Sequence, residues 1–173
     1  MTSRVEVLST SRLLLHQLCA DDAEFMLELL NEEPFLLNIG DRGVRTPAHA
    51  AAYIVNGPVA SYEQFGFGLY AVELKKSGES IGICGLLKRE SLDDVDIGFA
   101  FLEKFWGQGY AYESAAATLD YGRNVLGLKR IIAITTPTNQ SSIKLLEKIG
   151  LRFEKMIQMP GHHSPNKLFA SDS

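Results

Sequence analysis

A chain of 173 residues, 46% apolar and 22% charged, has the make-up of one globular domain, residues 1–173, with length enough for a substantial core. A net charge of −4 leaves no basic footprint for nucleic acid, and no apolar run approaches the roughly 18 residues that span a bilayer, so neither is an expected partner. The first residues lack the basic and apolar segments of a secretory leader, and Cys19 and Cys84 are too few and too far apart for a disulfide framework, which makes the cytoplasm the expected compartment.

Residues 12–18 (RLLLHQL) read as the first strand, behind a polar arm. Asp21 and Glu24 form a candidate capping box for a helix that uses Phe25, Met26, Leu29 and Leu30 and runs to Asn31. Residues 34–45 hold Pro34, Gly40 and Gly43, the composition of an irregular loop. Thr46 and Pro47 open a second helix as N-cap and first helical residue, and Asn56-Gly57-Pro58 should end it. Residues 68–74 and 80–88 read as strands joined by a polar turn containing Gly78; with the strand that follows they make an antiparallel meander.

Residues 94–122 carry the functional signal. Val95, Ile97, Phe99 and Phe101 alternate with Asp96, Gly98 and Ala100, the period of a strand with one face more deeply buried. From Gly109 onward Ala111, Ala115, Leu119 and Gly122 fall three or four apart, the spacing of a helix face. A helix start offers N–H groups without partners and a partial positive charge, and Gly107 and Gly109 remove side chains that would hold an anion away from them. A pyrophosphate is the natural guest, although such a turn also serves as a plain connector. It is not a P-loop, because no Lys follows Gly109 at the required place, and the third glycine of a dinucleotide fingerprint would fall on Tyr112.

The helix leads by a crossover to a strand at 130–135, which can therefore pair in parallel. Asn139 caps the next helix, Ile143, Leu146 and Ile149 give its buried side, and Gly150 ends it. Residues 153–159 and 167–170 read as the last strands, in an α+β order around a mixed sheet. Adjacent His162 and His163 lack the spacing of a helix-borne metal pair, and no metal is expected.

The run Trp106-Gly107-Gln108-Gly109-Tyr110-Ala111 resembles the acyl-CoA loop of the GCN5-related N-acetyltransferases (GNAT), with Trp106 where Arg or Gln is usual. Its FWGQGYAYES context is similar to the branch that contains the ribosomal-protein N-terminal acetyltransferases. A second motif follows in Asn139, Ser142, Glu147, Lys148 and Gly150, with Leu151 in place of the usual Phe, so the resemblance covers nearly the whole chain. It implies an acyl-CoA N-acyltransferase fold, with about six to seven strands flanked by about four helices.

The activity implied is transfer of an acetyl group from acetyl-CoA, the donor substrate, to a primary amine on a small molecule or a protein N-terminus, by a monomer or homodimer. The donor contacts implied are Phe99 and Phe101 through the main chain, Trp106, Gly107, Gln108, Gly109, Tyr110 and Ala111 at the pyrophosphate, and Asn139 at the pantetheine arm. Ser142 is the implied thiolate donor, because Leu145 and Leu146 stand where some members carry a Tyr; capping a backbone N–H is its other reading. Asp96 stands where many relatives carry Glu. It could take the ammonium proton if burial raises its pKa, or it could be one acid on an exposed strand face. Phe35, Asn38, Asp41 and Arg42 are implied acceptor contacts. Alternatives are a non-catalytic acyl-CoA-binding module and an enzyme for another acyl-CoA, such as succinyl-CoA, which Arg42 would favour. The mild negative charge is compatible with cationic acceptors without selecting one.

Overall fold

A computed structural model gives the structure of residues 4–171. An eight-stranded mixed sheet organises them in the order β1-β2-β3-β4-β5-β6-β8-β7. The strands are β1 (Glu6–Ser9), β2 (Leu13–Gln17), β3 (Leu69–Leu74), β4 (Ser80–Leu87), β5 (Val95–Phe101), β6 (Ile131–Thr135), β7 (Arg152–Ile157) and β8 (Asn166–Ala170). All neighbours are antiparallel except β5 and β6, joined by the crossover helix as the sequence requires. The count exceeds the expected six to seven because residues 6–9, read as part of a polar arm, pair with β2. That strand is short and half polar; Val7 and Leu8 pack against the core at partial burial, and its pairing with β2 completes its hold.

Six α-helical segments lie on the sheet, more than the expected four: α1 (Ala23–Leu30), α2 (Glu33–Asn38), α3 (Pro47–Ile54), α4 (Ala60–Phe65), α5 (Tyr110–Asn124) and α6 (Gln140–Lys148). The expected loop at 34–45 begins with α2, since Pro34 falls in the first turn, where its missing N–H costs nothing. Thr46 caps α3 as expected, accepting the His49 N–H at 3.1 Å. Asn56-Gly57-Pro58 does not end that helix. A π-turn, Val55–Val59, takes the buried Pro58 and continues into α4, which Gly66 closes in a left-handed conformation. The capping box of Asp21 and Glu24 is replaced by a short 3₁₀ turn in which Asp22 accepts the Cys19 N–H at 3.0 Å.

The two sheet faces make two cores. Leu13, Leu15, Tyr70, Val72, Leu86 and Ile97 pack under α5 and α6 through Ala115, Leu119, Ile143 and Leu146. On the other face Ala71 and Ile83 meet Met26, Leu29, Phe35, Ala50 and Ile54 of α1, α2 and α3. Each large side chain fully withdrawn from water stabilises the fold by roughly 1.5–3 kcal/mol, so both layers are firmly anchored and the α1–α2 layer stands beside the end of β5.

Candidate active site

Residues 102–109 turn the chain from β5 into α5. After a 3₁₀ turn, Glu103–Phe105, the backbone is left-handed at Gly107 (φ +78°) and Gly109 (φ +84°), conformations that a side chain would strain. The Trp106 indole N–H donates to the Phe101 carbonyl at 2.9 Å and so binds the turn back to the strand. Arg12 reaches over from the β1–β2 turn. Its guanidinium donates to the Gln108 carbonyl at 3.0 Å and to Glu113 at 2.8 Å, and lies 4.5 Å from the centre of the Tyr110 ring. With that carbonyl fixed toward Arg12, the Gly109 N–H at the other end of the same peptide plane points the opposite way. The first helical bond runs from the Glu113 N–H to the Gly109 carbonyl at 3.0 Å, which leaves the amides of Tyr110, Ala111 and Tyr112 without helical partners.

Beside this turn the sheet forks. β5 and β6 pair only at Val95↔Ile131 and Asp96↔Ile132, then diverge. Leu102 donates its N–H to Ile81 at 2.9 Å, toward β4, so by the alternation of an extended strand the N–H groups of Phe101 and Phe99 turn to the open side. Two chambers meet there. The larger, about 560 Å³, is bordered by Trp106, Gly107, Gly109, Tyr110, Ala111 and Tyr112, with Lys144 and Lys148 of α6 opposite. The smaller, about 380 Å³, reaches down to Asp96, and Phe35, Asn38, Phe99, Ala100, Asn139 and Ser142 border both.

Asn139 caps α6 by accepting the Ser142 N–H at 3.2 Å. The Ser142 hydroxyl makes no hydrogen bond to another described residue, so it faces the junction uncommitted. Asp96 is not on an exposed face: it is 1% exposed and held by Arg89 at 3.1 Å. Burial pushes its carboxyl above the usual range, and the Arg89 guanidinium pulls it back only in part. Glu113, behind the Gly-rich turn, goes the other way: burial would raise it, but hydrogen bonds from Thr10 and Arg12 outweigh that and hold it below the usual range.

Two expected contacts lie elsewhere. Gln108 borders neither chamber, because its carbonyl is turned to Arg12. The Asp41 carboxylate is taken by Arg45 at 2.5 Å and by the Gly43 N–H at 2.8 Å, away from the smaller chamber that Phe35, Asn38 and Arg42 do line. Sequence reasoning missed Arg89, Thr136, His162 and Asn166 in that chamber, and Lys144 and Lys148 in the other. The lysines had a readable signal, two cations four apart on one helix face. His162 comes from the β7–β8 turn and Asn166 from the start of β8, and no local pattern announces that they meet at the fork.

Residues 12–152 match the family model described as the acetyltransferase (GNAT) domain. The uncharacterized protein YkkB of Bacillus subtilis is 37% identical over 106 residues, 60% of this chain, and the matched stretch spans 62% of YkkB. A GNAT-family acetyltransferase structure from Bacillus anthracis superposes with a TM-score of 0.78 at 26% identity over 97% of each chain. The ribosomal L7/L12 alpha-N-protein acetyltransferase RimL, in complex with coenzyme A, shares the fold at a TM-score of 0.82 and 15% identity, over 96% of this chain and 97% of that one.

Proposed function

The chain belongs to the GNAT acetyltransferase family, and from that membership we propose that it transfers an acetyl group from acetyl-CoA to a primary amine while both substrates are held together. The observation that carries the reading is the fork, where one chamber floored by a helix start opens into another floored by a buried carboxylate.

The residues present fit such a donor. Free amides at the start of α5 and the lysines of α6 suit phosphate oxygens, and the glycines leave the backbone open to approach. The bound thioester supplies an activated acetyl carbon. The N–H groups of Phe99 and Phe101 are the donors for charge developing on its oxygen. Asp96 takes the proton that the acceptor ammonium must lose before its nitrogen can attack, and its raised pKa makes it a better base than an ordinary carboxylate. As the N–C bond forms and the C–S bond breaks, the Ser142 hydroxyl donates toward the departing sulfur. Because a hydroxyl is a weak acid, its effect is polarisation rather than full proton transfer.

Thermal unfolding in parallel with acetyl-CoA, CoA, NAD and ATP tests donor binding. A native-state ligand at about 100-fold over its dissociation constant adds roughly 2.7 kcal/mol, expected for the two CoA species alone. Thiol release with an amine then separates catalysis from mere binding; stabilisation without turnover on any amine would identify a binding module instead.

A further inference from the structure

The charges of the smaller chamber narrow the acceptor, an inference that rests on the acetyltransferase reading above. Asp96 is the one carboxylate among the described residues that line it, and Arg89 already answers that charge at 3.1 Å. Arg42 lines the same chamber and has no ion pair among the described residues, whereas its neighbour Arg45 is held by Asp41 at 2.5 Å. An unanswered guanidinium in the same chamber as a self-neutralising pair leaves that chamber with a net positive charge. A polyamine or aminoglycoside would bring further ammonium groups with no carboxylate there to receive them, and like charges brought together are penalised. A carboxylate or phosphate instead meets a planar fork of donors. The chamber wall adds a neutral polar group: the Thr136 hydroxyl is out of contact with solvent and has no hydrogen-bond partner among the described residues.

We propose that the acceptor is a small primary amine that also carries an anionic group, a carboxylate or a phosphate, which Arg42 holds while the amine lies at the junction. The mild negative charge of the whole chain, compatible with cationic acceptors, is thus reversed where it matters.

The test follows thiol release at saturating acetyl-CoA for L-amino acids against their amides, phosphoethanolamine against ethanolamine, and spermidine, with acetyl-CoA-induced thermal stabilisation recorded on each preparation. At least one anionic amine should exceed its partner without the anionic group by about tenfold or more in kcat/KM, with spermidine the poorest. The amino-acid and phosphate arms show which anion is read. Arg42→Glu should invert the preference and keep the stabilisation by acetyl-CoA, which shows that the variant folds. Preference for amides, ethanolamine or spermidine, no change in Arg42→Glu, or no thiol release from any member despite stabilisation would each overturn the proposal and leave donor binding standing. Failure of acetyl-CoA to stabilise the wild type would sink the acetyltransferase reading itself, and this inference with it.

Discussion

Asp96 shows how one residue's meaning depends on what closes over it. A carboxylate in an alternating strand reads as a solvated acid or as a base; at 1% exposure Asp96 is not the solvated acid, and the base role proposed for it rests on that burial. Asp96→Asn should lower kcat/KM by about 10²–10⁴-fold, and the acid limb of the wild-type pH profile, set above the ordinary carboxylate range, should vanish with it. Linkage adds an independent check. A carboxyl whose folded pKa lies above its unfolded value of about 4 contributes stability below that value and loses it as pH rises through the folded pKa. Urea titrations from pH 4 to 8 should therefore show Asp96→Asn gaining on the wild type as pH increases. For Ser142→Ala the expected loss is smaller, about tenfold in kcat with the KM for acetyl-CoA little changed, because polarisation by a weak acid is a modest effect. A fall in donor affinity measured by calorimetry would instead assign the hydroxyl to binding.

At the scale of elements, the Gly-rich turn depends on the β1–β2 turn, distant in sequence. Thr10 and Arg12 hold Glu113 in the first turn of α5, and Arg12 also holds the Gln108 carbonyl. Glu113→Gln should lose the charge-assisted part of this clamp, lowering stability by about 1 kcal/mol and raising the KM for acetyl-CoA several-fold at nearly unchanged kcat. Because the wild-type Glu113 carboxyl sits below its usual range, the stability difference should be full above the unfolded pKa and shrink as pH falls through the folded one. Equal losses in kcat and KM effects would place Glu113 in general folding rather than in setting the turn. The sequence showed the strand, the two glycines and the helix start because each has a local signature of period or backbone need. It did not show the clamp, which joins positions about a hundred residues apart. The continuous α3–α4 rod was hidden for a different reason: Asn-Gly-Pro is a strong stop signal, and only a wider turn with Pro58 buried overrides it.

On the scale of the whole molecule, the crossover was legible because the connection between β5 and β6 holds a fifteen-residue helix, which places the two strands side by side and parallel. The strand sequences by themselves carry no mark of how far that ladder continues, so the expectation of open main-chain donors at Phe99 and Phe101 rested on the family resemblance, and the two-pair ladder agrees with it. The smaller chamber draws on α2, β4, β5, β6, α6, β8 and the β7–β8 turn, so the chain must be nearly complete in folding before it exists. The larger chamber draws mainly on the helical layer, the end of β5 and the starts of α5 and α6.

The fork has a consequence for hydrogen exchange. With a ladder of only two residue pairs between β5 and β6, the amides of Phe99 and Phe101 lack strand partners, while Leu102 next door is bonded to β4. In the free protein those two should exchange quickly despite lying in the middle of a sheet, and Leu102 slowly. A thioester analogue seated in the gap would act as the missing rung, slowing Phe99 and Phe101 selectively and giving an isotope-labelling readout of donor engagement that needs no turnover.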